Sequence, residues 1–357
     1  MSELDLFRSS FSRRQGFALM GVAAIGLGLA SCSTGTVTDA GASAASDVDG
    51  TFPVTIKHAL GETVIAKAPS RVATISWTND DMVMALGVVP VGVPKVAWGG
   101  DAQGLTPWKQ DALEQLGAPL GSTAAPVIYS ETDGWNFTEI AKTSPEVIVA
   151  AYSQLSQEGY EKLSKIAPVV LYPEGQAYQM PWRDSLRLVG KALGRNAKAE
   201  QLIKDTDAIM TAEKSKFHNL AGKTFIWSGV DTATTGQMFL CTTGDPRSRF
   251  LMELGLKPAP VLLDWQKDVK DYYFSFSTEK ANELVSDIMF IDFSSDFTKE
   301  SLTKAPLLSQ IPAVKRDALV GFDDNTLSLA IVASSPLSLK WAVDLVVSMA
   351  DKAAAKA

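Results

Sequence analysis

The chain has 357 residues, a formal charge of −7, and 20% charged side chains against 46% hydrophobic ones. A surface of that sign argues against a nucleic-acid partner, because phosphates need a basic one. With only two histidines and two cysteines, a bare zinc or manganese site is poorly supplied, and a disulfide framework has no basis.

Two export signals lie near the start. Ser12-Arg13-Arg14-Gln15-Gly16-Phe17 reads as a twin-arginine segment. The apolar run from Phe17 to Ala30 has 14 residues, fewer than the roughly 20 that a membrane-spanning helix needs. It ends in Leu29-Ala30-Ser31-Cys32, which looks like a lipobox. We therefore expect residues 1–32 to be a twin-arginine lipoprotein signal, with Cys32 lipidated. The rest would then work on the outer face of a bacterial cytoplasmic membrane. Losing that segment removes Arg8, Arg13, Arg14, Glu3 and Asp5, so the remainder is one unit more acidic than the whole. Residues 33–50 are small and polar, cannot bury apolar area, and read as a flexible tether. Cys241 then has no partner. Within Met238-Phe239-Leu240-Cys241 it reads as a buried small hydrophobe.

From residue 51 the chain alternates short apolar runs with amphipathic stretches, the pattern of βα units on a mostly parallel sheet. Strands are predicted at 71–77, 88–93, 146–151 and 169–172, with helices at 80–86 (ended by Gly87) and 136–143. His58 falls in a strand-like stretch and is expected to be structural. Residues 185–193 form an amphipathic helix ended by Gly194. Asn196 can cap the next helix, which places Ala199, Leu202, Ile203, Ile209 and Met210 on one face and closes near His218. About 20 residues at 1.5 Å each give about 30 Å, enough to join two lobes as a strut.

The first pattern then returns. Residues 224–228 read as a strand. Leu251 to Leu256 matches Met84 to Val88, Thr278 to Ile291 matches Thr138 to Val149, and Leu308 to Val314 matches Leu163 to Val169. Three matches in one order imply two related α/β lobes around the helix. The expected organisation is a lobe at 51–195, an inter-lobe helix at 196–218, and a lobe at 219–357 ending in a helix near 338–350.

Several strings carry a family resemblance. They are Pro69-Ser70-Arg71-Val72-Ala73-Thr74, Ala85-Leu86-Gly87-Val88-Val89-Pro90-Val91-Gly92, Leu163 to Val170, Trp182-Arg183-Asp184 with Gly190 to Gly194, and Pro336-Leu337-Ser338. In this order they resemble the substrate-binding lipoproteins of iron-siderophore ABC importers, from about Phe52 to Met349. The resemblance implies two α/β lobes, a rigid inter-lobe helix, and a shallow cleft between the lobes. It also implies a monomer that carries a chelated ferric ion to permease subunits, with no resident cofactor. The family docks its permease through one acid on each lobe. Glu279 matches in the second lobe. In the first, the pattern falls on Thr138, with Glu139 beside it.

A ferric siderophore already satisfies iron with its own oxygens, so the receptor needs aromatic walls and a few polar groups. In open α/β sheets ligands sit beyond the carboxyl ends of strands. Those ends carry Trp77, Thr78, Trp98, Tyr129, Ser130, Tyr152, Ser153, Tyr172, Trp227 and Ser228. Trp265, Tyr272 and Tyr273 are expected in a second-lobe loop. Arg247, just after Gly244-Asp245-Pro246, could fork onto anionic ligand oxygens or instead pair with Asp245 or Glu253. Arg71 is expected to be structural. The alternative ligand is haem or a corrinoid in the same fold. Bare ferric iron on Tyr272-Tyr273 ranks lower, since paired-tyrosine iron sites belong to a different fold, and an extracytoplasmic enzyme ranks last, since no nucleophile elbow or zinc-hydrolase motif is present.

Replacing Cys32 with Ala should release the protein from membranes or leave it unprocessed. Fractionation and the mature N-terminus check this. A variant that still partitions with membranes and is cleaved at the same place would show the lipobox reading to be wrong.

Overall fold

The computed structural model describes residues 48–230, 236–294 and 296–357. The export signals, Cys32 and most of the tether fall outside the described residues. The end of the tether does not. Asp49 accepts hydrogen bonds from the backbone N–H groups of Asn196 (2.8 Å) and Ala197 (2.5 Å), and its own N–H donates to Gly194 O. Asp49 thus caps the long helix that Asn196 was expected to cap. The Ala197 N–H holds its carboxyl below the usual aspartate range, as expected for an anion at a helix N-terminus.

The described chain begins with a hairpin of β1 (Val54–His58) and β2 (Gly61–Ile65). His58 is structural: its Nδ1 accepts from Leu60 N–H and its Nε2 pairs with the Thr63 hydroxyl at 3.1 Å. The first sheet contains β3 (Val72–Thr74), β4 (Gly92–Pro94), β5 (Val127–Tyr129), β6 (Val147–Ala150) and β7 (Val169–Leu171), in the order β5-β4-β3-β6-β7. Every pairing in it is parallel. Its inner strands are buried and, Thr74 apart, carry no polar side chain, as burial on both faces favours. The predicted 88–93 strand shrinks and shifts to Gly92–Pro94. Helices α1 (Asn79–Ala85), α2 (Pro107–Gln115), α3 (Phe137–Lys142) and α4 (Gln157–Ser164) connect these strands.

Helices α5 (Trp182–Leu193) and α6 (Asn196–Lys216) follow, and His218 lies just past the end of α6. Ala199, Ile203, Thr206 and Met210 of α6 are buried. The second sheet contains β8 (Thr224–Val230), β9 (Gln237–Cys241), β10 (Lys257–Pro258), β11 (Tyr273–Ser277), β12 (Ile288–Asp292) and β13 (Leu319–Phe322). Its main order is β11-β9-β8-β12-β13, with β10 beside β8. Helices α7 (Pro246–Glu253), α8 (Pro260–Trp265), α9 (Lys299–Lys304), α10 (Pro312–Lys315), α11 (Asn325–Val332) and α12 (Pro336–Ala354) complete the fold.

In both sheets the first strand is central and later strands add on either side. β9 and β11 run antiparallel, so the second copy departs from the first. One repeat match also slips. Val169 begins β7, whereas its counterpart Val314 lies in α10, and β13 starts only at Leu319. The intervening turn passes Asp317 at φ 55°.

The strut is a layer rather than one helix. α5, α6 and α12 pack together, and one apolar core runs from Val149 of the first sheet through Leu186, Val189, Ile203, Val343 and Val346 to Phe225 and Phe290 of the second. α12, expected within the 219–357 lobe, also packs on α1 and α2 of the first lobe. Shearing this layer would expose apolar surface, and bending α6 would break backbone hydrogen bonds. Solution scattering with and without ligand should therefore show a change in lobe angle of only a few degrees. A closure of tens of degrees would contradict a braced core.

Candidate functional site

Beyond β3 the chain makes a strained turn into α1. Ser76 and Thr78 have φ of 61° and 60°, a left-handed region that costs a non-glycine residue energy and that a β-branched residue rarely enters. Four hydrogen bonds hold it there. Glu131 Oε2 accepts from Ser76 N–H at 3.0 Å. Asn79 Nδ2 donates to Ile75 O (2.7 Å) and Tyr152 O (3.0 Å), and Asn79 Oδ1 accepts from Tyr152 N–H (2.9 Å). The turn leaves Trp77 42% exposed. Its ring stacks on Trp98 at 6.1 Å and meets Tyr178 at 6.3 Å. Tyr178 in turn touches Tyr152 and Tyr272, so an aromatic seam reaches from one lobe to the other.

Two adjoining cavities flank this seam. The larger, about 420 Å³, is walled by Trp77, Trp98, Trp108 and Trp135, with Thr78, Asp81 and Glu131 as polar groups and Leu329 and Ala333 from the second lobe. The smaller, about 180 Å³, is bounded by Trp77, Tyr152, Tyr178, Tyr272, Asp245 and Arg247. Ties between the lobes fix the opening: Tyr152 donates its hydroxyl to Val332 O (3.0 Å), and Arg249 donates to Gln179 O.

Beneath the larger chamber lies a buried ion cluster. Lys109 Nζ is 2.8 Å from Asp80 and 3.6 Å from Asp81. Asp81 also accepts from Trp108 Nε1 (2.8 Å) and Ser335 Oγ (2.7 Å). Burial pushes the Asp81 carboxyl up, against the pull of Lys109. Burial works against the Lys109 ammonium too, but the two aspartates more than reverse it, so its pKa is raised. Burial pushes Glu131 up to about 7, although the Ser76 N–H favours its charged form. Glu131 Oε1 and Thr78 Oγ1 have no hydrogen-bond partner among the described residues.

Arg247 belongs to the smaller chamber. Its Nε and Nη2 donate to Asp245 at 2.9 and 2.8 Å, and its Nη1 to Asp292 at 3.1 Å. Glu253 is not its partner; it pairs with Arg183 instead. A guanidinium has five N–H donors, so Arg247 keeps some for a ligand even with a pair of carboxylates beside it.

The residues expected at strand ends divide in two. Trp77, Thr78, Trp98, Tyr152 and Arg247 line the two cavities. Tyr129 is buried, and its hydroxyl donates to Thr74 O. Trp227 is fully buried, stacked between Phe290 and Phe322, with its Nε1 donating to Asp292. Trp265 ends α8 instead of lying in a loop, and packs on Phe276. Tyr273 begins β11 and touches Tyr272 and Phe239, outside either cavity lining. Cys241 is a buried free thiol. Sequence reasoning passed over Trp108, Trp135, Tyr178, Asp81 and Glu131. Consecutive aspartates inside the apolar stretch before Gly87 and an isolated tyrosine between Pro173 and Pro181 were the available signals.

The surface acids are placed as follows. Glu279 is exposed at the start of a short 3₁₀ turn, Thr278–Glu283. Glu139 is tied to Lys142 at 2.6 Å, and Thr138 beside it is exposed. Among the described residues, no cluster of three or more His, Cys, Asp or Glu could hold a metal ion.

The model of the periplasmic binding protein family matches residues 72–326. The chain belongs to that family. Among its relatives, a Bacillus subtilis protein named probable siderophore-binding lipoprotein YfiY is 26% identical over 291 residues, 78% of this chain and 83% of the relative. The iron(3+)-hydroxamate-binding protein YxeB of the same organism is 22% identical, over 96% of this chain and 98% of the relative. The crystal structure of Streptococcus pneumoniae PiaA in complex with ferrichrome superposes with a TM-score of 0.78 at 33% identity, covering 85% of this chain and 99% of that one.

The proton on Glu131 of this binding protein gives a stability test. An ordinary glutamate titrates near 4.5 and this one near 7. Between those values the folded state holds a proton that the unfolded chain has released, so stability falls as pH rises through the window. The melting temperature of the wild type relative to Glu131→Gln should drop between about pH 5 and pH 8. Parallel curves would show that Glu131 does not carry this proton.

Proposed function

We propose that this chain is the receptor of an ABC importer, capturing a ferric siderophore of the hydroxamate class and handing it to a permease. The observation that carries this reading is the aromatic seam across the inter-lobe cleft, with Arg247 aimed into the smaller chamber. Rings give area and shape without competing for iron. Ferrichrome in PiaA and the hydroxamate named for YxeB support the class. So does the charge around Arg247. Asp245 and Asp292 outnumber it, which disfavours a strongly anionic catecholate complex and suits the oxygens of a ferric trihydroxamate, neutral overall, accepting its remaining N–H groups. The lipoprotein naming of YfiY supports a lipid anchor at Cys32. The Arg13-Arg14 segment is our basis for twin-arginine export.

We assign permease docking in the second lobe to Glu279, an exposed acid with no ion-pair partner among the described residues. In the first lobe Glu139 is the weaker candidate, since Lys142 already claims it. Tryptophan quenching tests the function. A ferric trihydroxamate should quench at far lower concentration than ferric catecholate, ferric citrate, haem or cobalamin, and tightest binding by haem or cobalamin would overturn the reading. In the same assay Glu279→Ala should keep ligand affinity within about twofold, while uptake through the cognate permease falls, as for a rim charge that governs association. Unchanged uptake would remove Glu279 from the docking surface.

A further inference from the structure

The larger chamber holds buried oxygens that lack a hydrogen-bond partner among the described residues. Glu131 Oε1 is shielded from solvent and has no hydrogen-bond or ion-pair partner among the described residues. Thr78 is 3% exposed, lines the same chamber, and has an equally unpartnered hydroxyl. Asp81, 1% exposed, lies at the floor. The buried lysine nearby is already committed, because Lys109 sits against Asp80 and Asp81. Lys95 lines the chamber too, but its side chain is exposed, where solvent and salt screen it. Around these oxygens stand the rings of Trp77, Trp98 and Trp135.

A buried carboxylate oxygen without a donor is costly. A ligand that brings a donor and a positive charge removes that cost. An ammonium carries three N–H donors and no acceptor, and ring faces attract it electrostatically. We propose that the larger chamber is a subsite for an organic ammonium borne by the siderophore, with Glu131 as its counter-ion, Thr78 as a second acceptor, and Trp77 and Trp98 as flanking ring faces. This rests on the siderophore reading and narrows it to chelates with a cationic arm. The iron-binding oxygens then face Arg247 across the aromatic seam. The near-neutral titration of Glu131 fits a carboxyl waiting for a cation, because a bound ammonium would favour its charged form.

The test uses two forms of one linear ferric trihydroxamate, one ending in a primary ammonium and the other N-acetylated at that nitrogen. Quenching of the wild-type protein should give about tenfold tighter binding for the ammonium form. Glu131→Gln keeps a carbonyl oxygen for the Ser76 N–H. It should erase the preference between the two forms. Equal affinities in the wild type would overturn the proposal, as would a preference that survives Glu131→Gln. If the variant does not fold, the wild-type pair still decides. Failure of the siderophore reading looks different: neither form quenches, while haem or cobalamin does.

Discussion

Asp81 is buried, and both the floor of the larger chamber and the terminal helix lean on it. It takes the indole N–H of Trp108 and the hydroxyl of Ser335, with the Lys109 ammonium at 3.6 Å. Ser335 is also the cap of α12. One carboxylate therefore fastens the terminal helix to the first lobe and sets the floor of the larger chamber. Removing a partner from such a cluster leaves a buried charge uncompensated, which costs far more than the pair itself contributes. The same logic explains why the cluster is closed so tightly with Asp80 alongside.

Above that floor the protein spends stability on shape. Ser76, Thr78 and Tyr178 all hold left-handed backbone, and all of them border the cleft. Glu131, just past the end of β5, and Asn79, tied to Tyr152 past the end of β6, impose the first of these turns. Strain and unsatisfied oxygens gathered at one place are what a preformed site looks like when the group that completes it is a ligand.

Much of the fold was legible because periodicity and punctuation agree. Gly87 and Gly194 stop helices where expected, and the short runs at 72–74, 147–150 and 169–171, alternating with helices, read as buried strands. The antiparallel β9 and β11 were not legible, because pairing direction leaves no mark on a short apolar run. Neither was the slip at Val314, where a local turn overrode the repeat. At the site, position along a strand was a fair guide but could not give depth. Trp77 and Trp227 follow the same pattern in their lobes, yet one stands exposed and the other is fully buried. That difference comes from the left-handed turn at Ser76 and from the flanking rings Phe290 and Phe322, which are distant in sequence. Glu131 was missed for a similar reason: its role depends on Ser76, 55 residues away.

The shared helical layer has a consequence for traffic at the membrane. If the chain is the receptor proposed above, two sheets braced by one continuous core should present nearly the same outer face whether the cleft is empty or filled. A permease meeting such a receptor has no closed form to choose, and selection by shape needs a difference in shape. Empty copies then compete with loaded ones for the same landing surface. Import becomes a matter of numbers: raising receptor abundance beyond the supply of chelate would crowd the permease with idle carriers and slow uptake.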